Sequence, residues 1–183
     1  LANYRRNRDN LNVKVVQLSH IYEEFNSGKP DIGAIRNFIR YVYSNASSPE
    51  NQLKYVGLIG DTSVDYKDRL SRNTNIVPTY QSYGSFTDTS SSFMSDDFYT
   101  MMDPDEGRMF SSEKMDIAIG RIVAETPLQA SIQVDKIIAH ESPESLEPWR
   151  NNFILISDDV DEEFEFEDLQ LQLDQLGDQI AEN

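Results

Sequence analysis

The chain has 183 residues, 38% of them apolar, with a formal charge of −16, 16 Lys and Arg against 32 Asp and Glu, and no cysteine. That composition suits one packed domain, or one domain and part of another, and excludes wholesale disorder, disulfide staples, thiolate metal sites and a cysteine nucleophile within these residues. The charge is uneven: 11 acidic residues and no Lys or Arg lie between Asp158 and Asn183, so the remainder carries −16 + 11 = −5. No basic footprint for phosphates exists, which sets nucleic acid aside as a partner, and no apolar run is long enough to span a bilayer. The acidic stretch reads either as a solvated loop and helix face or as a cation-binding surface.

In chain order, Leu1-Ala2-Asn3-Tyr4-Arg5-Arg6 reads as helix interior, as in a piece of a longer protein. Val13 to Leu18 is β-branched and partly alternating, and is predicted as a first strand. Ser19 is placed to cap a short helix through Phe25, which Ser27-Gly28-Lys29-Pro30 breaks. Ile32, Ile35, Phe38, Ile39 and Val42 form an apolar stripe at helical spacing between Asp31 and Asn45. The strand Tyr55 to Ile59 follows, and strand, helix, strand implies a right-handed crossover and a parallel pair.

Residues 61–95 are rich in Ser, Thr, Asn and Asp and read as long loops, with Ile76-Val77-Pro78 a short extended piece. Phe93 to Met102 reads as another extended segment, Asp103-Pro104-Asp105-Glu106-Gly107 as a turn, and Asp116 to Ile119 as a strand. Thr126-Pro127-Leu128-Gln129 carries the N-cap, N1 proline and N3 Gln of a capping box. Its helix runs to about His140, with Leu128, Ile132, Val134, Ile137 and Ile138 expected to be buried. A subdomain boundary is expected in 141–148. Beyond it come a buried strand, Phe153 to Ser157, an acidic loop, and a helix with Leu169, Leu173, Leu176 and Ile180 on one face. One strand and one helix cannot bury a core, so this second unit is expected to be incomplete and to expose Phe153 to Ile156.

Apolar runs ending in Gly and a charged residue, Ile59-Gly60-Asp61 and Ile119-Gly120-Arg121, mark the carboxyl edge of a parallel sheet, where α/β proteins place ligands. Asp61 ends one strand; Asp103, Asp105 and Glu106 sit in a turn near the same edge. Converging carboxylates repel one another unless a hard cation such as calcium joins them; the other reading is exposed turn acids. In Asp96-Asp97-Phe98-Tyr99 the aromatics read as core and one Asp as a turn cap. Asp158-Asp159, just beyond a strand, suits either a loop acid or the orienting acid of a nucleophilic triad. His20 and His140 fall at element ends and read as structural or exposed. No phosphate loop, zinc His pair or Gly-x-Ser-x-Gly elbow is present.

The segments Ile21 to Gly28, Ala34 to Tyr41, Leu53 to Asp61 and Val77-Pro78-Thr79-Tyr80-Gln81-Ser82 resemble gingipain-family cysteine peptidases. So do Ser95-Asp96-Asp97-Phe98-Tyr99, Ile117-Ala118-Ile119-Gly120-Arg121 and Val134-Asp135-Lys136-Ile137-Ile138, nearest to the branch acting as the C-terminal signal peptidase, or sortase, of type IX secretion. The resemblance implies a caspase-like α/β fold, a parallel sheet flanked by helices, with residues 1–148 as the first catalytic subdomain and 149–183 as the incomplete start of the second. It implies that the catalytic His and Cys come from later strands, leaving this chain a scaffold without activity of its own, and that Asp159 is the His-orienting acid. It attaches a structural Ca2+ to Asp61 and Asp103, with Asp105 or Glu106 as third ligand, and implies no organic cofactor. Peptide substrates bearing C-terminal signal domains, other secretion-system proteins and an outer-membrane or secreted location follow from the same resemblance. The alternative is a non-catalytic, calcium-stabilised surface binding module of the same fold.

Overall fold

A computed structural model of the chain describes residues 1–110, 112–157 and 168–181. They fall into two compact units, Leu1–Ile138 and Ala139–Asn183.

The first unit is α/β. Helices α1 (Ala2–Asp9), α2 (Leu18–Asn26) and α3 (Ile32–Ser44) precede strand β1 (Tyr55–Ile59). The Asp31 side chain accepts from the Gly33 N–H and so satisfies one orphan donor at the start of α3. Ala34, Ile35 and Ile39 of α3 are buried against Ile21 and Tyr22 of α2, and Phe25 meets Phe38 edge to face at 5.8 Å. Val42, expected on that stripe, is exposed.

Strand β1 pairs in parallel with β4 (Ala118–Ile122), from Tyr55 opposite Ala118 to Ile59 opposite Ile122. The ladder continues past the strand ends, with the Gly60 N–H donating to the Ile122 carbonyl and that of Asp61 to Ala124, both at 3.0 Å. Leu58 and Ile117 join the α2–α3 core, with Val56 and Ile119 packed against it. Tyr55 and Ile59, on the alternate face of β1, are exposed. Strand β1 is therefore covered on one face only. Between β1 and β4 the chain makes long loops and a small antiparallel pair, β2 (Tyr80–Gln81) with β3 (Met94–Ser95). Helix α4 (Pro127–His140) follows β4.

Three sequence expectations need correction here. Val13 to Leu18 is not a strand: residues 11–17 lack regular structure, Val15 is 74% exposed, and helix α2 has already begun at Leu18. The run is β-branched but has no neighbour to complete a ladder; its Val13 carbonyl is taken by the Arg6 guanidinium. Phe93 to Met102 is extended only at Met94–Ser95 and then coils into a 3-10 turn over Asp97–Thr100. Ser95 Oγ accepting the Asp97 N–H and Thr100 Oγ1 donating to the Asp97 carbonyl bend it. Helix α4 starts at its proline with Thr126 Oγ1 accepting from Gln129, but Gln129 Oε1 reaches the Glu125 N–H instead of Thr126, and none of its residues is buried. Leu128 on that helix is 70% exposed.

Among the described residues, the second unit holds two short 3-10 turns and helix α5 (Asp168–Ala181). Phe153 to Ser157, expected to be a buried strand, is not one. Ile154 is 81% exposed and Ile156 85%. Leu155 is less exposed than its neighbours but still on the surface, and a Cβ on Gly177 of α5 would stand 2.9 Å from its Cδ1.

Candidate functional site

Four of the segments singled out in the sequence converge on one side chain at the sheet edge. Arg121 lies in β4 opposite Leu58, and its side chain is 9% exposed. Nε donates to Asp96 Oδ2 at 2.8 Å and Nη2 to Oδ1 at 2.6 Å, a two-pronged ion pair. Nη1 donates to the carbonyls of Gly60 (2.9 Å) and Val77 (2.7 Å), and Nη2 also to that of Pro78 (3.3 Å). The five N–H groups of an arginine fork are thereby committed. Thr79 Oγ1 donates to Asp96 Oδ1 at 2.7 Å, which fixes the carboxylate from its other side.

The chain threading past this centre is held in turn. The Asp61 carbonyl accepts the N–H groups of Ile76 and Val77, both at 3.0 Å, so the exit of β1 and the Ile76-Val77-Pro78 segment run together. Tyr99 is fully buried and its hydroxyl donates to the Pro78 carbonyl at 2.5 Å. Burial pushes the Tyr99 phenol well above its ordinary value, and the Asp96 carboxylate adds to this against the opposing Arg121 charge. It stays a neutral donor. A centre of this kind has no free donor for a substrate; its effect is to fix where the loops leave the sheet.

A second tether lies where α3 meets residues 101–110. Arg36 donates from Nε (3.1 Å) and Nη2 (2.6 Å) to the Met101 carbonyl and from Nη2 to that of Glu106 (2.9 Å). Glu113 accepts the N–H groups of Gly107 (3.1 Å), Met109 (2.7 Å) and Arg108 (3.3 Å). Desolvation works against the Glu113 charge, yet the amides of Gly107, Met109, Arg108 and Phe110 outweigh it and hold the carboxyl below its usual 4.5. A carboxyl lowered by folding contributes stability in full above the unfolded value, and that contribution fades as pH falls through the folded value. Glu113→Gln should therefore flatten the loss of stability below about pH 4.5 while changing the pH 5–7 plateau only by a constant. Urea midpoints from pH 7 to 3 check this; an unchanged acid slope would contradict it.

The residues proposed from sequence are distributed differently. Asp61 is bound into the edge through its backbone, while Asp103 and Asp105 are exposed in their turn. Glu106 Oε2 accepts the Asp103 N–H at 3.1 Å and Oε1 that of Lys114 at 3.3 Å, so two of the four candidates do meet. Among the described residues, no group of three or more His, Asp and Glu stands ready to hold a metal ion. Asp159 lies outside the described residues. His20 and His140 are exposed. Arg121, Asp96, Arg36 and Glu113 were not assigned these roles from sequence. The available signal was a charged residue inside a strand whose neighbours are all apolar or Gly.

A parallel sheet with α2 and α3 on one face and a braced carboxyl edge has the architecture of the caspase-like peptidase fold. The chain belongs to peptidase family C25, the gingipain family, whose profile it matches over residues 1–183. It is similar to the crystal structure of dimeric latent PorU from Porphyromonas gingivalis, with 26% identity and a TM-score of 0.60. That similarity covers 86% of this chain and 16% of the PorU chain. None of the curated proteins matches. Among the described residues, no helix is long and apolar enough to cross a membrane.

Proposed function

We propose that the chain is the amino-terminal scaffold of a gingipain-like cysteine endopeptidase that removes C-terminal sorting signals from type IX cargo at the outer-membrane cell surface. The observation that carries this is the likeness to PorU over most of the chain, joined to the family match over all of it. The reading divides the chain into a first catalytic subdomain, 1–148, and the opening of a second, 149–183. Its substrate is a peptide chain bearing the signal, and its neighbours are other proteins of the secretion system.

A cysteine peptidase attacks the scissile carbonyl with a thiolate, and a histidine that takes the thiol proton returns it to the leaving amine. The chain contains no cysteine, so the nucleophile of this reading belongs to residues outside these 183. Asp159 is the acid that would orient the histidine. The contribution of the described residues is positional: Arg121 ties Gly60, Val77, Pro78 and Asp96 into one edge. Misplacement of a reacting group by one ångström can cost on the order of 100-fold in rate, so a rigid edge matters for chemistry conducted nearby.

Disrupting the gene in its native host should leave secreted cargo with the C-terminal signal attached, read as a mass increase in intact-protein spectra. Cargo of normal mass in the disrupted strain would overturn the reading and favour a binding module of the same fold.

A further inference from the structure

The family resemblance puts calcium ligands at Asp61 and in the 103–106 turn, but in that turn the Glu106 carboxylate and the Glu106 carbonyl are engaged otherwise. Calcium takes six to eight oxygens, several of them anionic. Glu106 spends both carboxylate oxygens on the N–H groups of Asp103 and Lys114. Two carbonyls of the same loop, Met101 and Glu106, accept from Arg36. The Arg36 guanidinium also lies 5.4 Å from the Phe98 ring centroid, a cation–π contact that orients it. Gly107 adopts φ +102, and a Cβ there would stand 2.8 Å from Arg36 Cζ, so the backbone lies directly against the cation. On the far side of Gly107, Glu113 gathers three successive N–H groups.

We propose that Arg36, with Glu106 and Glu113, does for the 101–110 loop what a divalent cation would do, so that the chain folds independently of calcium. A guanidinium is a permanent charge with a fixed fan of donors, suited to bridging two carbonyls. Desolvation and the nearby Arg40 lower its ordinary value, while Glu106 and Glu113 work the other way. The inference concerns the fold and stands whether or not the peptidase reading does.

The test is thermal unfolding of the full chain in EDTA and in millimolar CaCl2, with limited proteolysis of the 101–110 loop. The wild-type midpoint should be the same in both. Arg36→Met, which keeps most of the apolar stem, should lower it by roughly 5 °C, open the loop to cleavage, and gain nothing from calcium. A wild-type midpoint that rises several degrees with calcium and falls back in EDTA would overturn the proposal, as would an Arg36→Met protein with wild-type stability and loop protection. If Arg36→Met does not fold, Glu113→Gln is measured in its place, and protection of residues 107–109 equal to wild type overturns the proposal equally. Neither outcome depends on peptidase activity.

Discussion

Arg121→Met should destabilise the chain by about 3–5 kcal/mol, the range for removing one partner of a buried ion pair. The cost does not come from the lost attraction alone. Asp96, 19% exposed, would keep a charge in the edge with Thr79 as its remaining side-chain partner. The Gly60 and Val77 carbonyls would each lose a strong donor where water has little access. Arg121→Lys should recover only a minor part, because one ammonium cannot reach a carboxylate and three carbonyls spread around a planar fork. Replacing both partners, Arg121→Met with Asp96→Leu, should be less damaging than the first change alone, since no charge is then stranded. Urea denaturation of the three variants measures this. A single variant within 1 kcal/mol of wild type, about a fivefold change in the folding equilibrium, would mean that the edge is held by its backbone ladder and not by the guanidinium.

What could be read in advance divides by the range of the interaction. Helix α3 was legible because Ile35 and Ile39 settle its buried face within one short window. Strand β1 was legible for the same reason, and its residues 55–59 match the expected span. Val13 to Leu18 and Phe153 to Ser157 satisfy the same local tests and are not strands, because a strand exists only when another backbone supplies the opposing N–H and carbonyl groups. No six-residue window contains that information. The Arg121–Asp96 pair is 25 residues apart in sequence, and the helix-to-loop tether from Arg36 to Met101 is 65 apart. The segments containing Asp96 and Arg121 were recognisable through the family they resemble, but their meeting was not. The carboxylates at 103–106 suggested a cation because acidic residues repel. The structure shows that two loop carboxylates, Glu106 and Glu113, find backbone N–H groups instead, and spacing gives no way to choose between those outcomes.

Gly60→Ala should cost on the order of 2–4 kcal/mol, from left-handed backbone strain and overpacking acting together. Gly60 has φ +143, a conformation that a side chain seldom adopts, and it is the residue at which β1 leaves the sheet. A Cβ there would stand 2.8 Å from Cγ2 of both Ile76 and Val77. Neither neighbour is free to retreat. The N–H groups of Ile76 and Val77 are bound to the Asp61 carbonyl, and the Val77 carbonyl is bound to Arg121. Relief of the clash therefore pulls on the guanidinium, whose Nη1 also holds the Gly60 carbonyl itself. The two sites should couple: in an Arg121→Met background the segment can shift, and Gly60→Ala should then cost at least 1 kcal/mol less than in the wild type, within the range seen for residues sharing partners. Strictly additive costs would show that the methyl group is accommodated by local movement of Ile76 alone, and the edge would then have to be regarded as several independent contacts instead of one centre.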